Sequence, residues 1–184
     1  YRIPSSSMVP TVMSGEFILA APDAFRDRAP RRGEVVILVA PDGDRYIKRV
    51  VGLAGDTIEL RGGILHIDGR PVRRQRLVGQ ARLDGQRGTL YRERLPGGPS
   101  EVILERSDDG WLDDTRPYVV PQGHVFVMGD NRDNAMDSRV RTVGSVALDR
   151  LTDKPLCILW SPDPLAPAAP CAERRGRRRA TGQP

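Results

Sequence analysis

Lysine is almost missing from this chain. Of 29 basic residues only Lys48 and Lys154 are lysine, and the rest are arginine. A coding bias toward arginine replaces lysine wherever any cation will serve. A retained lysine therefore points to a property arginine lacks, since a desolvated lysine can give up its proton and an arginine cannot. Histidine is as scarce. His66 stands in a predicted hairpin strand and His124 follows Gly123 at a predicted strand start, which are positions for structural or exposed residues rather than for a general base. The two cysteines, Cys157 and Cys171, fit no metal-ligand spacing. Cys157 lies in the apolar run from Leu156 to Trp160, where cysteine acts as a small hydrophobe, and a disulfide between the two would require an oxidising compartment. No run approaches the ~20 apolar residues that a spanning helix needs. No long stretch keeps a 3.6-residue apolar period, and there is no internal repeat. The chain begins at Tyr1 rather than at Met, as a piece of a longer protein would.

What is present describes an ordinary globular protein. The 184 residues, 39% hydrophobic and 29% charged, suffice for one buried core and a smaller inserted subdomain. The net charge of +5 hints at nucleic acid until it is located. Residues 171–184 hold five arginines and one glutamate, so the basic character belongs mostly to a tail and predicts no nucleic-acid partner for the rest. Glycine and proline punctuate short β-rich runs. Strands are predicted at 17–20, 34–39, 45–53, 101–106, 118–120, 124–128, 143–148 and 156–160, with a hairpin formed by 57–60 and 64–67. This is a mostly β pattern of sequentially adjacent strands, an antiparallel sheet or partly open barrel. Residues 1–71 and 118–160 make the better-patterned core. The Arg-, Gln- and Gly-rich stretch 72–117 reads as a less regular inserted subdomain, and 161–184 as a disordered tail.

Three segments carry candidate chemistry. The first, Ile3-Pro4-Ser5-Ser6-Ser7-Met8-Val9-Pro10-Thr11, would on its own be a solvated loop. The second runs from Gly43 to Asp56 through Tyr46-Ile47-Lys48-Arg49-Val50-Val51. As a strand it places Tyr46, Lys48 and Val50 on one face and Ile47, Arg49 and Val51 on the other. A lysine among such neighbours either snorkels at an edge or sits in a dry site. The third, Met128 to Arg139, contains Gly129-Asp130-Asn131-Arg132-Asp133-Asn134-Ala135-Met136-Asp137-Ser138-Arg139. Alone it reads as an Asx-turn loop or a cation site, but its spacing is wrong for an EF-hand and its two arginines oppose a metal.

Together and in this order, the three segments resemble the conserved boxes of bacterial type I signal peptidases, membrane-bound Ser–Lys proteases that remove signal peptides. The family's serine box, Ser-Gly-Ser-Met-x-Pro-Thr, stands here as Ser5 to Thr11. Its lysine box is matched from Gly43 to Asp56, its third box over 129–139 at all fixed positions but one, and Val143-Gly144 onward resembles its last strand box. The resemblance implies that Ser7 is the nucleophile and Lys48 the general base. The Ser5 hydroxyl and the Ser7 N–H then form the oxyanion hole. Asp130, Arg132, Asp137, Ser138 and Arg139 support the strand carrying Lys48. Ile3, Pro4, Met8, Val12, Val35 and Ile47 line shallow apolar subsites for a small-x-small cleavage site. It further implies no metal or cofactor, preprotein signal peptides and a lipid surface as partners, and a monomer. The location implied is the outer, periplasmic side of the bacterial inner membrane, with the N-terminal anchor absent from this chain.

A lysine amine with a free pKa of ~10.4 must be pushed down by burial to act as a base near neutrality. Two positions depart from the family pattern. Ser6 stands where glycine is common, and Ala135 replaces a serine whose hydroxyl, in the family, bonds the lysine. Rival readings are a Ser–Lys peptidase of another role, of the pilin-processing or self-cleaving repressor kind, and a non-catalytic basic module that binds lipid or nucleic acid through Arg174 to Arg179. No helix-turn-helix pattern precedes Ser5, and a tail-dependent binder would lose its affinity on deletion of 171–184.

Overall fold

The structure is a computed structural model that describes residues 1–162. Its strands are, in chain order, β1 Phe17–Pro22, β2 Val35–Val39, β3 Arg45–Gly52, β4 Thr57–Arg61, β5 Ile64–Ile67, β6 Arg70–Pro71, β7 Arg73–Leu83, β8 Gln86–Arg94, β9 Ser100–Glu105, β10 Tyr118–Val119, β11 His124–Met128, β12 Val146–Ala147 and β13 Leu151–Trp160. They form a six-stranded sheet of order β1-β13-β2-β3-β11-β12, a four-stranded sheet β10-β4-β5-β6 and a three-stranded sheet β7-β8-β9. The paired strands run antiparallel. The fold is thus the nearly all-antiparallel β architecture expected, and its sheets do not close into a barrel.

Strand β3 contributes to each of three apolar clusters. Val51 packs with Ile58, Leu60, Leu65 and Phe126, joining the six- and four-stranded sheets. Val50 packs with Val36, Leu38, Val125 and Val127, and Ile47 with Ile3, Met8, Val12, Ile18 and Ile37. Val50 and Val51 are both fully buried, so this strand is dry on both faces, and a lysine within it is desolvated by its own neighbours. On one side β3 pairs with β2, setting Lys48 opposite Val36 and Ile47 opposite Ile37. On the other it pairs with β11, which leads directly into the 129–139 loop.

Several boundaries differ from those predicted. Residues 73–94 form a hairpin more regular than the composition of 72–117 predicts. Its turn, Asp84-Gly85, has φ of 49° and 71°, as a two-residue type I′ turn requires. Most of the hairpin's arginines and glutamines are exposed, Arg74 and Gln86 being the half-buried exceptions, and the missing alternation is a consequence of that exposure. Residues 106–117 that follow β9 are irregular apart from turns. Strand β13 starts at Leu151, five residues before the predicted 156, and runs through Pro155. Its ladder to β2 ends at Asp153, and the register with β1 shifts beside Pro155. Proline is tolerated where the ladder is already broken. The predicted strand 143–148 shrinks to Val146–Ala147 and continues as a 3-10 turn over Leu148–Arg150. No free cysteine occurs among the described residues. Cys171 and the rest of the tail from 163 lie outside them.

Candidate active site

The serine loop and strand β3 meet at one buried contact. Lys48 is 4% exposed and Ser7 is 7% exposed, and Lys48 Nζ donates to Ser7 Oγ at 3.0 Å. The amine also donates to the Ile47 carbonyl at 2.8 Å, which fixes its direction, and it lies 5.2 Å from the centre of the Tyr46 ring. Burial pushes the Lys48 amine down to about 8, with Asp137 and Asp130 pulling the other way. Those two carboxylates are already matched by arginines. Arg49 grips Asp130 through Nε at 2.8 Å and Nη2 at 2.6 Å, and Arg139 grips Asp137 at 3.0 and 2.8 Å. The paired arginines blunt the pull of both carboxylates on Lys48, so desolvation prevails.

The same ion pairs tie the three segments together. Asp130 also accepts from the Thr11 hydroxyl of the serine loop. Asn131 donates its backbone N–H to the Ser7 carbonyl at 3.1 Å and its side-chain amide to the Ser6 carbonyl at 3.0 Å, and Asn134 donates to Ser6 Oγ at 3.0 Å. Asp137 accepts from the Gly129 N–H at 3.0 Å. Gly129 itself is crowded, because a Cβ there would stand 2.5 Å from the Ser7 carbonyl oxygen and 2.3 Å from Ala135 Cβ. Only glycine lets the loop approach the serine this closely. Arg132 is fully buried and paired with buried Glu93 of β8, so the loop is also bolted to the hairpin sheet. Leu104 of β9 adds a backbone bond to the Asp130 carbonyl at 2.8 Å.

The sequence model of the family described as signal peptidase, peptidase S26, matches residues 1–160. The chain belongs to this family. It is 38% identical to signal peptidase I of Pseudomonas aeruginosa over 76% of this chain and 54% of that protein. It is 28% identical to signal peptidase I of Rickettsia canadensis over 88% and 71%. The chain spans about half the length of the Pseudomonas relatives it matches. A solved signal peptidase I from Enterococcus faecalis V583 is 23% identical over 67% of this chain and 94% of that chain, with a TM-score of 0.40, too distant a likeness to add to the case.

As a signal peptidase family member, the chain can be compared with the residues its boxes single out. Ser5 Oγ lies 3.3 Å from Ser7 Oγ, beside the predicted nucleophile. Ile3, Pro4 and Ile47 line a cavity of about 860 Å³ that opens onto Ser7 and Lys48, joined by Ile37 and Tyr46. Met8, Val12 and Val35 do not line it and pack in the apolar cluster beneath. Ser138 donates nothing to Lys48. Its hydroxyl accepts from the Val127 N–H at 2.9 Å, so the second bond of the amine goes to the Ile47 carbonyl instead. Ala135 lines the same cavity as Lys48. Sequence reasoning missed Thr11, Asn131, Asn134, Gly129 and the acceptor role of Ile47. All sit inside the matched boxes, so the boxes pointed to their neighbourhood, though not to a backbone carbonyl as an acceptor. Glu93 had no signal of any kind.

Proposed function

We propose that this chain is the catalytic part of a serine endopeptidase that removes signal peptides from exported preproteins after a small-x-small site. One observation carries the reading: a desolvated lysine amine 3.0 Å from a serine hydroxyl. With its pKa near 8, about one molecule in ten holds a neutral Lys48 at pH 7. The neutral amine takes the Ser7 proton as Oγ attacks the scissile carbonyl. The oxyanion that forms is met by the Ser5 hydroxyl and the Ser7 N–H. The lysine ammonium then protonates the departing amine, leaving an acyl-serine, and the amine activates a water to release the signal peptide. Asp130, Arg132, Asp137, Ser138 and Arg139 hold β3 and the serine loop in register. The subsites are apolar and shallow, with Ile3, Pro4 and Ile47 at the cavity wall and Met8, Val12 and Val35 behind them.

In this reading residues 1–71 and 118–160 are the catalytic core and 72–117 a cap-like insertion. The enzyme acts as a monomer on the outer side of the bacterial inner membrane, against lipid. No helix among the described residues is long and apolar enough to cross a membrane. Support for a lipid-facing edge comes from β1 and β13, which expose Phe17, Leu19, Leu156, Leu159 and Trp160 along paired strands. The test is to incubate the chain with a preprotein bearing an Ala-x-Ala site and map the cut by mass spectrometry. Cleavage after the second alanine by the wild type, and none by Ser7→Ala, is expected. Cleavage elsewhere, or by the mutant, would refute the proposal.

A further inference from the structure

A second cluster of buried charge lies where β9 and the 106–117 loop meet the 129–139 loop, and the Ser7–Lys48 chemistry makes no use of it. Glu105 at the end of β9, Asp113 and Asp133 each place a carboxylate oxygen within 4.8 Å of the other two. Glu105 is 2% exposed and Asp113 is 0% exposed. Both oxygens of Glu105 and Oδ1 of Asp113 accept no hydrogen bond. Asp113 Oδ2 accepts from Gly110 N at 2.7 Å, and Asp133 Oδ2 from Arg106 N at 2.6 Å and Ser107 N at 3.3 Å.

Buried carboxylate oxygens without partners are costly and are relieved by a proton or by a compensating cation. No surrounding cation is hydrogen-bonded to the open oxygens. Arg74 Nη1 stands 3.5 Å from Glu105 Oε2, too far for a hydrogen bond, while its Nη2 is committed to Asp108 at 2.8 Å. The two arginines of the 129–139 segment, which argue against a metal inside that segment, are turned away: Arg132 to Glu93 and Arg139 to Asp137. Arg132 and Arg139 act on Glu105 and Asp113 through space, but each is hydrogen-bonded to a carboxylate outside the cluster, so three carboxylates converge with no guanidinium bonded to their open oxygens.

We propose that Glu105, Asp113 and Asp133 bind a calcium ion that ties β9 and the 106–117 loop to the loop holding Ser6 and Ser7. Carboxylate oxygens are hard donors and select a hard cation. The three come from separate segments without an octahedral frame, which suits the flexible 6–8 coordination of calcium rather than the strict geometry of magnesium. Backbone carbonyls and water complete the sphere. Asp133 lines a second cavity, of about 550 Å³, together with Trp111, Arg87 and Arg106, so the cluster borders solvent on its Asp133 side. The ion is structural and takes no part in the peptidase chemistry.

Trp111 supplies the probe. Its neighbour Gly110 abuts the cluster so closely that a Cβ there would meet Asp133 Oδ1 at 2.8 Å and Asp113 Oδ2 at 3.1 Å. A terbium ion at the site would therefore be sensitised by that tryptophan. Titration with terbium under tryptophan excitation is expected to give saturable emission, displaced by calcium but not by sodium at matched ionic strength. Saturating calcium should raise Tm by about 5 °C. Trp111→Phe should lose most of the emission and keep the calcium-dependent rise in Tm. Glu105→Gln, which keeps shape, and Asp133→Asn at the half-buried rim should lose both. No saturable emission, wild-type calcium affinity in Glu105→Gln, or unchanged emission in Trp111→Phe would overturn the site. Displacement by magnesium as effective as by calcium would overturn the assignment to calcium.

Discussion

Replacing Lys48 by methionine should make the fold more stable near neutral pH while abolishing any chemistry that depends on the amine. Burial lowers the amine from 10.5 to about 8. At ~1.4 kcal/mol per tenfold change in proton affinity, the folded state carries a penalty of ~3 kcal/mol below pH ~8, where the amine is protonated in both states. The sign follows from proton counts. Between pH ~8 and ~10.5 the unfolded chain binds the extra proton, so wild-type stability from this group rises with pH across that window, and below ~8 the full penalty is present. Methionine fills nearly the same volume without charge. It forfeits two hydrogen bonds, to Ser7 Oγ and the Ile47 carbonyl, worth ~1 kcal/mol each. The net expectation is a stabilisation of about 1 kcal/mol at pH 7 that reverses to a destabilisation of about 2 kcal/mol above pH 10.5. Urea unfolding of both proteins from pH 6.5 to 10.5 measures the difference directly, because all other titrations cancel. A difference independent of pH would refute the desolvated-lysine account. So would a variant that is less stable at pH 7 by more than the lost bonds.

Three further outcomes are expected. Ser5→Ala should lower kcat by roughly 10²–10³-fold with KM nearly unchanged, as for loss of one oxyanion donor; steady-state kinetics on a signal-peptide substrate would expose a loss confined to KM. Glu93→Gln should destabilise the fold by about 3 kcal/mol, because it leaves the fully buried Arg132 unmatched; a change in urea unfolding below about 1 kcal/mol would mean the pair is not load-sharing between the hairpin and the 129–139 loop. Ala135→Ser should be accepted structurally and raise kcat by about ten-fold or less, since the amine already has the Ile47 carbonyl as a second acceptor; an unchanged rate and pH profile would show that Ile47 already fills the role.

Much of the core was legible because its strands are apolar and short and end at glycine or proline. The central pair, Glu34–Val39 and Arg45–Leu53 as predicted, falls within one residue of β2 and β3. The site was legible through three local patterns in fixed order, and the scarcity of lysine drew attention to Lys48. What escaped has a physical cause in each case. The 73–94 hairpin exposes most of its arginines and glutamines, so hydrophobic alternation, the main strand signal, is absent there. Its one clear signal was the Asp84-Gly85 turn. Pro155 hid the start of β13 because a proline normally ends a central strand, and only the broken ladder beside it makes room. The Glu93–Arg132 pair joins residues 39 apart, and no local pattern marks one glutamate among many. The second bond of Lys48 goes to a backbone carbonyl, which no side-chain pattern reveals.

The claim that Ser7 and Lys48 form the working pair is tested most directly by the pH dependence of kcat/KM between pH 6 and 10, with Lys48→Arg alongside. Wild-type cleavage should rise about ten-fold from pH 7 to a plateau through a single ionisation near 8, and Lys48→Arg should be silent throughout, since arginine keeps the charge but cannot accept the proton. A flat profile, a rise centred near the ~6.5 of a histidine, or cleavage by Lys48→Arg would contradict it.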